Sequence, residues 1–230
     1  MFDDYLASTS NMELVSGGEK LILLDREPPM TIIAAMWESE DSILIGADSG
    51  ETETTTNLRL INNNKLQRYS NPSIPLAWGA AGNPAIGIDG FAEWLRNHEP
   101  FTTWQGLKAN CEDKMAELVG RRNALRIKMN IPYNFISRDD ASVLLVGCLE
   151  NSLRMLEINQ EAIGYFIAQR FHTIGMNPAV IATNYRTIEQ TRTPTLEDFA
   201  RVLDISARSF PQCDPPIHIW RVTREGIIEL

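Results

Sequence analysis

An α+β four-layer α-β-β-α sandwich, with two antiparallel sheets enclosed between two pairs of helices, is the architecture the sequence predicts. Three observations predict it. Strand-like and helix-like segments are segregated along the chain, in the order strands, helices, strands, helices, strands, and segregation favours packed layers over βαβ alternation. The first strands follow one another as hairpins, which implies antiparallel pairing. Finally, the helices come as two consecutive pairs, each able to cover the outer face of one sheet.

Residues 1–30 differ from the rest of the chain. They contain a polar opening, a break at Ser16-Gly17-Gly18, a short apolar run Leu21-Ile22-Leu23-Leu24 and then Pro28-Pro29, and they read as a separable N-terminal extension before a domain over 31–230. Four strands are expected near 31–37, 42–49, 64–69 and 74–81. Thr54–Thr56 and Asn62–Asn64 share a loop between the second and third. At Gly82-Asn83-Pro84 the period changes: Asn is a favoured N-cap and Pro a favoured first helical residue, so a helix is expected over 84–97. A second helix opens at Thr102-Thr103-Trp104, with Leu107, Cys111, Met115 and Leu118 on one face. Strand signals return at 141–149, 153–158 and 163–174. Helices are expected near 178–189 and 195–208, and closing strands at 217–222 and 226–230.

The 230 residues are 43% hydrophobic and 22% charged, a balance suited to one globular domain with a filled core. With 21 basic and 30 acidic residues the net charge is −9, and no basic stripe is present, which argues against a nucleic-acid surface. Cys111, Cys148 and Cys213 are odd in number, widely spaced and lack CxxC spacing, so a disulfide framework or zinc site is not expected and a reducing cytoplasm fits. The start Met1-Phe2-Asp3-Asp4 is no basic targeting segment, and no apolar run approaches the roughly 18 residues that span a bilayer. Neither secretion nor membrane insertion is expected.

Four short segments carry a resemblance: Thr31–Ala35, Gly46-Ala47-Asp48-Ser49, Asn64-Lys65-Leu66 and Gly79-Ala80-Ala81-Gly82. In this order they resemble the successive motifs of proteasome β-type subunits, members of the N-terminal nucleophile (Ntn) hydrolases, and of their bacterial proteasome-like relatives. The similarity continues weakly through Ile174-Gly175 and Ile217–Leu230, and is strongest over 31–95. It implies a threonine-type peptide hydrolase built as a homo-oligomeric ring.

The resemblance also implies roles. Thr31 matches the nucleophile, whose free α-amine would accept the hydroxyl proton because an α-amine titrates at about 7.7–8.0. Asp48, 17 residues on, would orient Lys65, whose ammonium would stabilise the threonine alkoxide. Gly79, 14 residues after Lys65, matches the glycine whose backbone N–H binds the oxyanion. Taken singly these are a β-branched strand residue, a turn aspartate, a surface lysine and a tight-turn glycine.

Several positions depart from the family pattern. Met30 stands where self-cleaving precursors carry Gly, and while residues 1–30 stay attached the nitrogen of Thr31 is an amide that cannot take a proton. A competing register places Met30 at the nucleophile position. Met176 follows Ile174-Gly175 where the family has Ser, and no aspartate is in register near Ser209-Phe210, Asp204 and Asp214 being displaced from it. A non-catalytic subunit acting in assembly is therefore the alternative reading.

Other candidates read as structural. His98, His172 and His218 share no ligand spacing, and no metal or cofactor is implied. Cys148 is expected as a buried strand residue, and Asp139-Asp140 as a turn, since neighbours on a strand point to opposite faces. The five tryptophans are expected in the core or at interfaces.

Overall fold

The computed structural model describes residues 12–16, 19–23, 31–52, 59–60, 65–82, 90–128, 141–210 and 213–230. In chain order the elements are β1 (Met12–Ser16), β2 (Glu19–Leu23), β3 (Ile32–Ser39), β4 (Ser42–Ala47), β5 (Glu51–Thr52), β6 (Arg59–Leu60), β7 (Leu66–Arg68), β8 (Leu76–Gly82), α1 (Ala92–Asn97) and α2 (Trp104–Lys128). Then come β9 (Ala141–Leu149), β10 (Ser152–Ile158), β11 (Gly164–Phe166), β12 (Phe171–Gly175), α3 (Pro178–Glu189), α4 (Leu196–Ser209), β13 (His218–Thr223) and β14 (Ile227–Glu229).

Two five-stranded sheets form the centre, in the orders β11-β10-β9-β8-β7 and β12-β3-β4-β13-β14. Every neighbouring pair in them is antiparallel. Alternate residues of each strand face opposite ways, and because both faces are covered the strands read as near-continuous apolar runs. On β8, Leu76, Trp78 and Ala80 face α1 and α2, packing with Phe91, Leu95, Trp104, Leu107, Cys111 and Met115. Ala77 and Ala81 of the same strand, with Leu144 and Val146 of β9, face the second sheet and share a cluster with its Ile33, Ala35, Ile45 and Ala47. A third cluster joins Ile32, Ala34, Met36 and Leu44 to Ile181 and Tyr185 of α3 and Phe199, Val202 and Leu203 of α4. Three buried clusters separate four layers, so the expected sandwich is the observed one. Each fully buried large side chain in them contributes on the order of 1.5–3 kcal/mol.

Element boundaries show where tertiary structure overrode local pattern. The continuous strand expected over 163–174 is two strands in different sheets: β11 pairs with β10, and β12 pairs with β3. The chain crosses between sheets at 167–170, where Ile167 N–H still bonds Met155 O and Arg170 O already accepts from Trp37 N–H. β1, which ends at Ser16, pairs with β2 alone as a separate two-stranded sheet, and Gly17-Gly18 of the expected break lie outside the described residues. The Asn83-Pro84 helix start and the Asp139-Asp140 turn lie outside the described residues. α4 opens on a capping box, Thr195 Oγ1 accepting from Asp198 N–H while Asp198 accepts from Thr195 N–H.

Candidate active site

The β3–β4 hairpin brings Thr31, just before β3, beside Asp48, just after β4: Ile33 lies opposite Ala47 in the register, and Asp48 N–H bonds Ile32 O at 3.3 Å. Lys65 comes from the other sheet. It precedes β7, and its side chain crosses the interlayer to place Nζ 2.9 Å from both Asp48 oxygens and 3.1 Å from Thr31 Oγ1. The environment is dry, with the Asp48 side chain fully buried, that of Lys65 7% exposed and Thr31 7% exposed. A buried ion pair persists only when its remaining hydrogen-bonding capacity is met. Here Asp48 Oδ1 also accepts from Ile32 N–H at 2.8 Å, and Oδ2 from Gly50 N–H at 3.1 Å and Asp214 N–H at 3.4 Å.

Thr31, Asp48 and Lys65 are thus brought together. Gly79 lies inside β8 with ladder partners on both flanks, Leu66 of β7 and Leu144 of β9, so its in-plane N–H faces a neighbouring strand. Its missing Cβ serves packing: a methyl there would come within 2.8 Å of Ile33 Cδ1. The end of β8 approaches this region by way of Gly175. Gly175, with φ of +94°, packs so tightly that a Cβ on it would sit 1.9 Å from Thr31 O and 3.0 Å from Ala81 Cβ. Beyond Leu66, the Ala80–Gly82 stretch pairs only with β9 among the described residues, and it ends in Gly82 with φ of +98°.

Met176 and Asp214 also enter in ways the sequence did not disclose. Met176 N–H donates to Thr31 O at 2.9 Å, so its backbone holds the start of β3 whatever its side chain. Asp214, expected out of register, brings its main chain to the site, its N–H to Asp48 and its O accepting from Ser49 N–H at 2.8 Å. Asp204 instead pairs with Arg208 along α4. No sequence signal near 214 marks this, because the contact spans 166 residues.

The remaining candidates fall into supporting roles. His172 Nε2 meets Glu157 Oε2, His98 stacks on Phe101, and all three cysteines are buried. Burial pushes the Cys111 and Cys148 thiols up, away from the thiolate a nucleophile needs. Trp78, Trp104 and Trp220 are buried in the core, while Trp37 and Trp94 pack against it. No helix of the described residues is long and apolar enough to cross a membrane.

No protein-family model matches the chain, and none of the curated proteins does. Solved structures similar in fold include Anbu (ancestral beta-subunit) from Yersinia bercovieri, with a TM-score of 0.65 at 14% identity over 86% of each chain. A Gly-1 mutant of Anbu from Hyphomicrobium sp. strain MC1 gives 0.61 at 16% identity, over 87% of this chain and 84% of that one. The helical assembly of the Anbu complex from Pseudomonas aeruginosa gives 0.61 at 15% identity over 86% of each. These findings correct the assignment to the proteasome β-type subunits drawn from the four motifs. The similarity lies with Anbu structures, and at this identity it extends to the fold and no further. The chain shares the four-layer α-β-β-α sandwich fold of these Anbu structures.

Proposed function

We propose that the chain is an N-terminal-threonine hydrolase that cleaves peptide bonds once the Met30–Thr31 bond has been cut. The observation that carries this reading is the buried Lys65 ammonium held between Asp48 and the Thr31 hydroxyl. With Thr31 at the terminus, its Oγ attacks the substrate carbonyl carbon and its α-amine takes the hydroxyl proton. Lys65 stabilises the developing alkoxide, oriented by Asp48. The oxyanion accepts from a backbone N–H of β8, whose Ala81 packs on the Gly175 that abuts Thr31 O. Collapse of the tetrahedral adduct expels the substrate amine with the proton and leaves an ester on Oγ, which water then hydrolyses. Lys65 lying against Thr31 favours Thr31 over Met30 as the nucleophile position. By analogy with the Anbu assembly, the working form is a homo-oligomer, with residues 1–30 as a removable extension.

Intact mass of protein purified from its own cells, followed by labelling with a peptide epoxyketone, tests the reading. A chain beginning at Thr31 that forms a morpholine adduct, which consumes both the hydroxyl and the amine, supports it. A chain that retains residues 1–30 overturns it and supports a non-catalytic subunit.

A further inference from the structure

The Asp48 carboxylate is held by donors from four separate stretches of chain. β3 supplies Ile32 N–H, the segment before β7 supplies Lys65, the turn after β4 supplies Gly50 N–H and the α4–β13 connection supplies Asp214 N–H. The last of these has to be held in place from far along the chain, and Ser49 does this at two points. Its N–H donates to Asp214 O at 2.8 Å, and its hydroxyl donates to Pro216 O. Ser49 is fully buried, so the hydroxyl has no water to fall back on, and its loss would leave Pro216 O without that donor.

From this arrangement we propose that Ser49 is a positioning residue for Thr31 chemistry. It staples residues 214–216 to the end of β4, fixes the rotation of the Asp48 carboxylate, and through Asp48 fixes the Lys65 ammonium against Thr31 Oγ1. The torsion that turns a carboxylate is broad, so when Asp214 N–H drifts away Oδ2 keeps only Gly50 N–H and Lys65, the carboxylate turns towards those donors, and Lys65 shifts with it. A misplacement of about 1 Å in a catalytic group costs on the order of a hundredfold in rate. The inference rests on the hydrolase reading for its consequence, but not for its geometry.

Two measurements on Ser49→Ala, Ser49→Cys and Ser49→Thr test it. In full-length protein labelled with 15N-lysine, the Lys65 ammonium should give a protected 1H–15N signal. Its exchange should quicken by about tenfold in Ser49→Ala and Ser49→Cys and return towards wild type in Ser49→Thr, matching the loss of one hydrogen bond. Unchanged exchange in a folded Ser49→Ala or Ser49→Cys protein overturns the proposal, even if thermal stability falls. Ser49→Cys keeps the volume of the residue and serves if Ser49→Ala does not fold. In protein purified from its own cells, acylation of Thr31 by a β-lactone should slow by about tenfold or more in the same variants. A wild-type protein that does not react overturns the hydrolase reading, while the ammonium signal still decides the role of Ser49.

Discussion

Lys65 Nζ sits at the same distance, 2.9 Å, from both oxygens of Asp48, and the two residues come from different sheets. The ion pair therefore joins the layers at the end where Thr31 lies, and its two halves are not equivalent. Asp48 has three backbone N–H donors besides Lys65, whereas Lys65 has only the neutral Thr31 hydroxyl besides Asp48 among the described residues.

Removing one partner of a buried pair costs about 3–5 kcal/mol because the other charge is stranded. Asp48→Ala is expected near the top of that range, and Lys65→Met near or below the bottom, since the carboxylate keeps its backbone donors. The double variant should be more stable than the sum of the two. Urea unfolding of all three proteins checks this order.

Gly79 and Gly175 should respond differently to alanine. At Gly79 the new methyl presses on the tip of Ile33, an overpacking expected to cost about 1–3 kcal/mol, and adding Ile33→Val should recover part of it by removing the crowded Cδ1. At Gly175 the methyl meets backbone oxygen of Thr31 and the residue has φ of +94°, so Gly175→Ala should be the more damaging and no side-chain change should rescue it. Thermal midpoints of the four proteins test this, and a Gly175→Ala protein as stable as wild type would contradict it.

Asp198 ties acid stability to the start of α4. The Arg192 guanidinium, at 2.5 and 2.6 Å, and then the Thr195 N–H hold its carboxyl down to about 2 from the ordinary 3.8. Because the folded value is the lower one, the contribution is complete above the unfolded value and fades as pH falls through about 2. Asp198→Asn should lower the thermal midpoint at pH 7, and the gap to wild type should close as pH approaches 2. A gap that stays constant across this window would sink the assignment.

His172 on β12 and Glu157 on β10 form a second link between the sheets, with 2.6 Å between Nε2 and Oε2. Both side chains are partly exposed, so a coupling of about 1 kcal/mol or less is expected. A double-mutant cycle with His172→Leu and Glu157→Leu measures it, and zero coupling would show the link to be incidental.

Much of the layer structure was legible in the sequence because it rests on local periodicity. Leu107, Cys111, Met115 and Leu118 recur on one face and pack as one stripe against the first sheet, and the β9 and β10 segments match their apolar runs. Residues 163–174 misled because periodicity registers an extended chain without revealing its pairing partner. Only long-range hydrogen bonding separates β11 from β12. The site divided along the same line: the order of Thr31, Asp48 and Lys65 was visible, while the packing of Gly79 on Ile33 and the entry of Asp214 were not.

By itself the sequence determined the order of Thr31, Asp48 and Lys65 and that two helix pairs enclose two antiparallel sheets, since residue type and apolar period are properties of short segments. It also determined that Met30 is bonded to the nitrogen of Thr31, and hence that cleavage must precede amine chemistry. Tertiary structure decided what meets across layers: Lys65 from one sheet against Asp48 and Thr31 of the other, Gly175 against Thr31 O and Ala81, and the α4–β13 connection behind Asp48. Those contacts join residues up to 166 positions apart. They form only where register and layer packing close at the same time, and no local pattern encodes that.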